Sequence, residues 1–324
     1  DMLGPGLDFP DMFGASAPQT NNARMRNRGW ELSLNWRGKI GNDINYSVGG
    51  SLSDATAEVT EYANPTGTNP AGNWYVGRKV GEIWGYRAEG IIQTQAEADE
   101  YNKYDLSYLS GKAWEPGDVK YVDLNGDKAI NRGKNTLEDM GDMTIIGNTT
   151  PRYQYTFNGS ISWKDLSLSM MFQGVGKRDW NPGTAPYFWG SGAYAQVTVF
   201  NEHMDYWRED NPNAYYPKPY IHSAGGVTPF RNKIMQTSDR YLQSGAYCRL
   251  KNITLSYNLP SSWTQRVGLQ KVQVFFSGEN LLTFTSLKGM FDPEAIFTGN
   301  SYTSEGGKNY PMNKVVSFGL VVNL

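Results

Sequence analysis

The chain has 324 residues and a formal net charge of −2, and its single cysteine excludes an internal disulfide. Aromatic residues make up 14% of the chain, but only 39% of all residues are hydrophobic, and no run of about 18 apolar residues is present for a membrane helix. The near-neutral charge gives no reason to expect a nucleic-acid partner.

Alternating apolar and polar residues recur in segments of about ten residues, the length that a tilted strand needs to cross a bilayer. The first pair runs from Trp30 to Trp36 and from Tyr46 to Leu52, with a turn predicted at Gly38–Asn42. The clearest hairpin pairs Tyr153–Trp163 with Leu166–Phe172. Hydroxyl and amide side chains occupy the alternate face of these strands, so each strand is expected to have one apolar and one polar face.

Three further strands are predicted towards the C-terminus, at Tyr247–Leu259, Val272–Phe276 and Val315–Leu324. Weaker strand patterns lie near Glu82–Ile92 and Asp118–Asp123, giving about eight strands in all. The strong hairpins have short turns. Three long connections are predicted elsewhere, at Gln93–Gly117, Lys177–Gln243 and Thr285–Asn313. The second of them is expected to include a short helix near Phe200–Glu209. Short turns at one end and long loops at the other are typical of a membrane β-barrel.

A series of motifs follows in a fixed order along the chain. They are Val76–Gly81, Trp84–Tyr86, Gly117–Asp127, Thr144–Asn148, Phe172–Gly176, Tyr206–Pro212, Tyr247–Tyr257, Glu279–Phe284 and Phe291–Glu294. This series resembles the SusC/RagA-type TonB-dependent transporters of bacterial outer membranes. The matches cover roughly residues 20 to 324 in collinear order.

The resemblance implies an all-β fold, in which residues 1–324 form the C-terminal segment of a large antiparallel transmembrane β-barrel with long extracellular loops. The plug domain and the N-terminal strands would then lie outside this chain. The resemblance also implies a multi-pass outer-membrane protein that imports oligosaccharides or peptides. Its expected partners are a SusD-like lipoprotein lid, the TonB complex, reached through the missing N-terminal part, and lipid or lipopolysaccharide.

Two other interpretations remain open at this point. A family member could serve as a scaffold within an outer-membrane assembly, with wall and loops kept but without transport. The same alternating strands could also form a soluble carbohydrate-binding β-sandwich. An enzyme is not expected, because the chain has only two histidines, His203 and His222, and no Ser/His/Asp or Cys/His arrangement.

One short loop carries oxygen side chains at a spacing that suits calcium. Asp123, Asn125 and Asp127 follow the one-three-five pattern of calcium loops. Lys128 stands where such loops have glycine, and Asp142 is the candidate for a further ligand. A structural Ca²⁺ is therefore a possible cofactor, and hydrogen-bonded Asx turns are the alternative.

The longest connection is crowded with aromatic residues. They are Trp180, Tyr187, Phe188, Trp189, Tyr194, Tyr206, Trp207, Tyr215, Tyr216 and Tyr220. Aromatic rings stack on sugars and pack on peptides, so Trp180, Tyr187, Trp189, Tyr206, Trp207 and Tyr215 are the candidates for a substrate or partner loop. The alternative, which we favour for most of these rings, is that they pack together and hold the loop in shape.

Overall fold

The computed structural model of the chain describes residues 2–4, 12, 14, 20–64, 66–183, 186–190, 199–220, 232–296 and 310–323. Leu324, Tyr194 and His222 lie outside these ranges.

Fourteen strands and three short α-helices form within the described residues. In chain order, the strands are β1 (Met2–Gly4), β2 (Thr20–Ile40), β3 (Ile44–Glu61), β4 (Glu82–Tyr86), β5 (Ala88–Ile91), β6 (Val119–Tyr121), β7 (Met143–Asn148), β8 (Arg152–Trp163), β9 (Leu166–Lys177), β10 (Asp179–Trp180), β11 (Gln243–Ser244), β12 (Tyr247–Asn258), β13 (Lys271–Thr285) and β14 (Val315–Asn323). The helices are α1 (Gln95–Tyr101), α2 (Pro186–Trp189) and α3 (Ser261–Thr264). Within the same ranges, no helix has both the length and the apolar character needed to cross a membrane.

Eight strands form one antiparallel sheet in the order β1-β2-β3-β8-β9-β12-β13-β14. The turn between β2 and β3 covers residues 41–43, because Ile40 pairs with Ile44, so β2 runs further than the predicted turn at Gly38–Asn42 allows. The turn between β8 and β9 is the predicted pair Lys164 and Asp165, since Trp163 pairs with Leu166. Lys164 has a φ of 51°, the positive value that two-residue hairpin turns require.

The register divides the large sheet into an apolar face and a polar face, because residues paired across strands point to the same side. The apolar face includes Trp30, Leu32, Leu34, Trp36, Val48, Phe157, Ile161, Leu168, Phe172, Leu255, Phe276, Phe318 and Leu320. The polar face includes Ser33, Asn35, Ser47, Ser51, Thr156, Asn158, Ser160, Ser169, Thr254, Ser277 and Ser317. Hydroxyls bond across strands on the polar face, with 2.7 Å between Ser47 Oγ and Ser160 Oγ.

The apolar face is uncovered. Leu34 is 67% exposed and Phe318 is 80% exposed, and even Ile161, on a central strand, is 44% exposed. A soluble sandwich would cover such a face with a second large sheet. The other sheets among the described residues have only two strands each, β4-β7, β5-β6 and β10-β11, so the sandwich interpretation does not fit. The fold is all-β, and the exposed apolar face is that of a barrel wall.

Strands form at both of the weaker strand patterns, but outside the large sheet. Glu82–Tyr86 and Ala88–Ile91 are strands, and so is Val119–Tyr121, but they pair in the small sheets between β3 and β8. The reason is the length of the connection, which is long enough to fold on itself. The helix predicted near Phe200–Glu209 is a 3₁₀ turn of four residues, Asn201–Met204.

The connections at the two ends of the large sheet differ in kind. The β2–β3 and β8–β9 turns and the β12–β13 connection lie at one end, where Lys271 also pairs with Asn323. The long connections 62–151, 178–246 and 286–314 leave from the other end; we call their described residues the loop region. The loop region has its own hydrophobic core, and every buried residue of that core comes from these connections rather than from the large sheet.

Candidate functional site

An aromatic cluster forms the centre of the loop region. The fully buried ring of Phe188 lies 5.0 Å from the ring of Trp189 and 5.6 Å from that of Tyr216, measured between centroids. Tyr241 and Phe291, which the sequence analysis did not single out, lie 6.3 Å from Phe188 in the same cluster. The pairs of Phe188 with Trp189, Tyr216 and Tyr241 are edge-to-face and the pair with Phe291 is stacked, and both arrangements stabilise beyond the area that they bury.

The six predicted substrate or partner residues divide into two groups by exposure. Trp180, Trp189 and Trp207 are buried, so their rings contact other protein groups instead of offering a free stacking face. Tyr187, Tyr206 and Tyr215 are half-buried at the margin of the core. The ring of Tyr215 also receives the Lys288 ammonium, 3.5 Å from its centroid, in a cation–π contact.

A buried ion pair joins two of the long connections. Lys233 Nζ lies 2.7 Å from Asp118 Oδ2 and neither side chain is exposed. The second oxygen of Asp118 accepts a hydrogen bond of 2.5 Å from the Tyr220 hydroxyl, and the Glu115 amide donates to Oδ2 at 2.8 Å. Burial raises the pKa of Asp118, although the Lys233 ammonium and the Tyr220 hydroxyl act in the opposite direction.

A second charged cluster anchors the last long connection on β12. Arg249 Nη2 donates to both carboxylate oxygens of Asp292 at 2.8 Å, and Lys251 Nζ lies 3.0 Å from Glu294 Oε2. Arg249 Nε donates to the Thr283 hydroxyl at 2.8 Å. Arg249 is almost fully buried. These contacts explain why two cations alternate with apolar residues in this strand.

The calcium-like loop is held by hydrogen bonds to the main chain. Asp123 accepts from the amides of Gly126 and Lys128 at 2.7 and 2.9 Å, and Asp127 accepts from the Ala129 amide at 2.8 Å. Asn125 Nδ2 donates to Asp127 Oδ2 at 3.0 Å. These are Asx-type turns, which carboxylates and amides form without a metal.

Asp142 lies close to that loop. It is fully buried, and it accepts from the amides of Leu124 and Asn131 at 2.8 and 2.9 Å. Burial raises its pKa, and the charges of Asp123 and Asp127 raise it further. Where side chains are described, no three His, Cys, Asp or Glu residues are grouped as metal ligands. Calcium binding here stays a prediction.

His203 is a buried part of the loop region. Its Nδ1 accepts from the Phe200 amide at 3.1 Å, so Nε2 carries the hydrogen and donates to the Tyr187 carbonyl at 3.0 Å. Burial lowers the pKa of His203. The ring has the role of a neutral packing residue rather than that of a catalytic base.

Two polar cavities are lined by residues of the loop region, and the second of them also reaches the large sheet. The first, of about 560 Å³, is lined by Arg78, Glu82, Trp84, Tyr86, Arg132 and Gln236, among others. The second, of about 520 Å³, shares Glu82 and reaches Thr56, Arg152 and Lys177 at the ends of β3, β8 and β9. The sequence gives no local signal for either cavity, because the lining residues come from separate connections.

No family model matches the chain. TonB-dependent receptor P3 of Formosa agariphila is 29% identical over 315 residues, which are 93% of this chain and 28% of that receptor. TonB-dependent receptor P26 of the same organism is 25% identical over 331 residues, covering 98% of this chain and 31% of the receptor. The chain thus spans less than a third of the length of these relatives.

Solved structures match the whole fold of the chain. The RagAB peptide transporter superimposes with a TM-score of 0.63 at 23% identity, over 99% of this chain and 32% of the matched chain. The RagAB peptide importer in the open-open state gives 0.64 at 22% identity, over 100% and 31%. The fold is therefore that of about a third of each matched chain. The resemblance to SusC/RagA-type TonB-dependent transporters, first seen in the sequence motifs, is confirmed.

Proposed function

We propose that the chain supplies part of the wall and the loop region of an outer-membrane importer of the SusC/RagA type. The observation that carries this proposal is the large sheet, with its uncovered apolar face on one side and its hydroxyl-lined face on the other. An apolar face of this extent is stable against lipid, whereas in water it would aggregate. The similarity to named TonB-dependent receptors supports the same assignment.

The proposed mechanism is transport without bond chemistry. The polar face would line the lumen, and the loop region would capture an oligosaccharide or a peptide together with a SusD-like lipoprotein lid. Energy would come from the TonB complex through residues outside this chain. Lipid or lipopolysaccharide would contact the apolar face. The RagAB structures are described as a peptide transporter, which makes peptides the first ligands to test.

The test uses the full-length protein in its native cell. We expect it to fractionate with the outer membrane, to co-purify with a lipoprotein, and to be needed for uptake of a labelled peptide or oligosaccharide. Uptake should also stop when the TonB complex is inactivated. Recovery in the soluble fraction would overturn the proposal. If deletion of the protein disrupts an outer-membrane assembly but leaves uptake intact, the scaffold interpretation is favoured instead.

A further inference from the structure

Arg132 is an unusual arginine of the loop region. It is half-buried and forms no ion pair with a carboxylate among the described residues. Arg178 Nη2 donates to the carbonyl of Ile296 at 3.0 Å, and Arg240 Nη2 donates to that of Ala214 at 3.1 Å. Arg132 Nε, like the Nε atoms of Arg78 and Arg178, is buried with no acceptor in the part of the chain that the structure describes.

Tyr86 is the polar neighbour of Arg132 in the 560 Å³ cavity. Its side chain is 1% exposed, and apart from the Arg132 guanidinium beside it, its hydroxyl has no hydrogen-bond partner among the described groups. Burial raises the pKa of Tyr86 to about 12, so the hydroxyl keeps its proton at neutral pH. A buried donor without an acceptor is costly. A ligand oxygen at this point would satisfy both Tyr86 and Arg132.

The cavity favours an anion. Its charged residues are Arg78, Arg132 and Glu82. Glu82 is already satisfied, because Oε2 accepts from the Tyr75 hydroxyl at 2.7 Å and Oε1 accepts from the Lys79 amide at 2.9 Å. The two arginines therefore leave the cavity with an excess of positive charge. A planar guanidinium matches the two oxygens of a carboxylate better than the point charge of a lysine does.

The cavity is larger than a carboxylate group alone would need, and further polar and apolar groups line it. Its volume of about 560 Å³ is many times the roughly 30 Å³ that one water molecule occupies. Gln236 and Asn181 line it with side-chain amides whose nitrogens already donate to the Asn232 carbonyl and the Thr237 hydroxyl, both at 3.1 Å, and Ile83 and Met143 provide apolar contacts. Amide groups and a modest apolar surface suit the main chain and side chains of a short peptide.

We propose that this cavity binds a short peptide by its terminal carboxylate, with Arg132 holding the carboxylate and the Tyr86 hydroxyl donating to it. The proposal rests on the proposed import function and names the part of the ligand that is recognised. The second cavity also has Glu82 in its lining and reaches Arg152 and Lys177 at the ends of β8 and β9.

The test measures binding to the purified full-length protein in detergent by isothermal titration, with trialanine, trialanine amide and succinate as probes. We expect trialanine to bind and the amide to bind at least about tenfold more weakly, as for a lost charged hydrogen bond. Arg132→Gln should weaken trialanine by the same factor and leave the amide unaffected. Tyr86→Phe should weaken trialanine binding less than Arg132→Gln does, and should cost little stability, because the Tyr86 hydroxyl has no acceptor among the described groups.

Arg266→Gln is the matched control. Arg266 is exposed at the short-turn end and forms no ion pair within the described ranges, so this variant should bind trialanine like the wild type. No binding of trialanine to the wild type, or equal binding to the wild type and Arg132→Gln, would overturn the proposal. If succinate binds as tightly as trialanine, the site recognises a carboxylate without a peptide, and the peptide part of the proposal is wrong. Because binding is measured without transport, failure here is distinguishable from failure of the import function.

Discussion

Lys233 and Asp118 form a fully buried ion pair, with 2.7 Å between Nζ and Oδ2, across two connections that are far apart in sequence. Lys233 Nζ also donates to the Ala113 carbonyl at 2.8 Å and lies 5.7 Å from the ring centroid of Trp114. A buried pair with additional hydrogen bonds holds its segments in one arrangement, because either charge alone would be strongly unfavourable there.

We predict that Lys233→Met destabilises the loop region by about 3–5 kcal/mol, since it leaves the Asp118 carboxylate buried without its counter-ion. Denaturation of the full-length protein, followed by the fluorescence of tryptophans such as Trp114, measures the loss. The double variant Lys233→Met/Asp118→Asn should recover most of it, because no charge then remains buried. A double variant no more stable than the single one would contradict this account.

The contact between Arg249 and Asp292 should matter more than an exposed ion pair. Asp292→Asn removes a charge from two hydrogen bonds of 2.8 Å in a buried setting, and we expect a loss of about 1.5–3 kcal/mol. Asp210→Asn is the matched control, because Asp210 is 78% exposed in its pair with Arg208 and exposed pairs contribute little to stability. Unfolding free energies of the two variants are compared; equal losses would argue against the anchoring role.

Adjacent positions on β2 test the two faces of the wall. Leu34→Lys places a charge on the apolar face and should cost about 2–4 kcal/mol near the membrane midplane. Ser33→Lys places the same charge on the polar face, where we expect little change in stability. Urea unfolding of the full-length protein in detergent or lipid measures both. Similar losses in the two variants would contradict the assignment of the faces.

Strand periodicity predicted the wall well because alternation is a local signal. The hairpin of β8 and β9 was predicted with its two-residue turn, and the asymmetry of short turns and long connections was predicted too. The loop region was less predictable, because its pairs join distant segments. Nothing local to Arg249 indicates that Asp292 faces it, and nothing near Tyr86 indicates Arg132.

In the candidate site, too, local features were predictable and contacts between distant segments were not. The aromatic composition of the longest connection was evident, but which rings are buried depends on partners such as Tyr241 and Phe291 from elsewhere in the chain. Whether any of the six aromatic candidates contacts a ligand stays a prediction, as does calcium at Asp123.

We predict a pH dependence of stability from His203. Its pKa is lowered by burial, so the folded state favours the neutral ring. The unfolded chain, with an ordinary histidine pKa of about 6.5, binds the proton more readily, and stability is therefore full above that pH and falls as the pH decreases below it. Protonation would also remove the Nδ1 acceptor of the Phe200 amide.

The variant that tests this prediction is His203→Asn, which keeps an acceptor in the side chain but does not titrate. Melting temperatures of the wild type and the variant are compared at neutral and mildly acidic pH. We expect the decrease at acidic pH to be smaller in the variant. An unchanged decrease would assign the effect to other groups.

The loop region has a hydrophobic core that includes no residue of the large sheet, and this separation has a thermodynamic consequence. In the proposed outer-membrane setting, the wall would derive its stability from contact with lipid, whereas the loop region buries its rings away from water as a soluble domain does. The two parts are therefore able to melt as separate cooperative units, one sensitive to the choice of detergent and the other to salt and pH. Calorimetry of the protein should show two transitions. Substitutions could also accumulate in the loop region without altering the register of the strands in the large sheet.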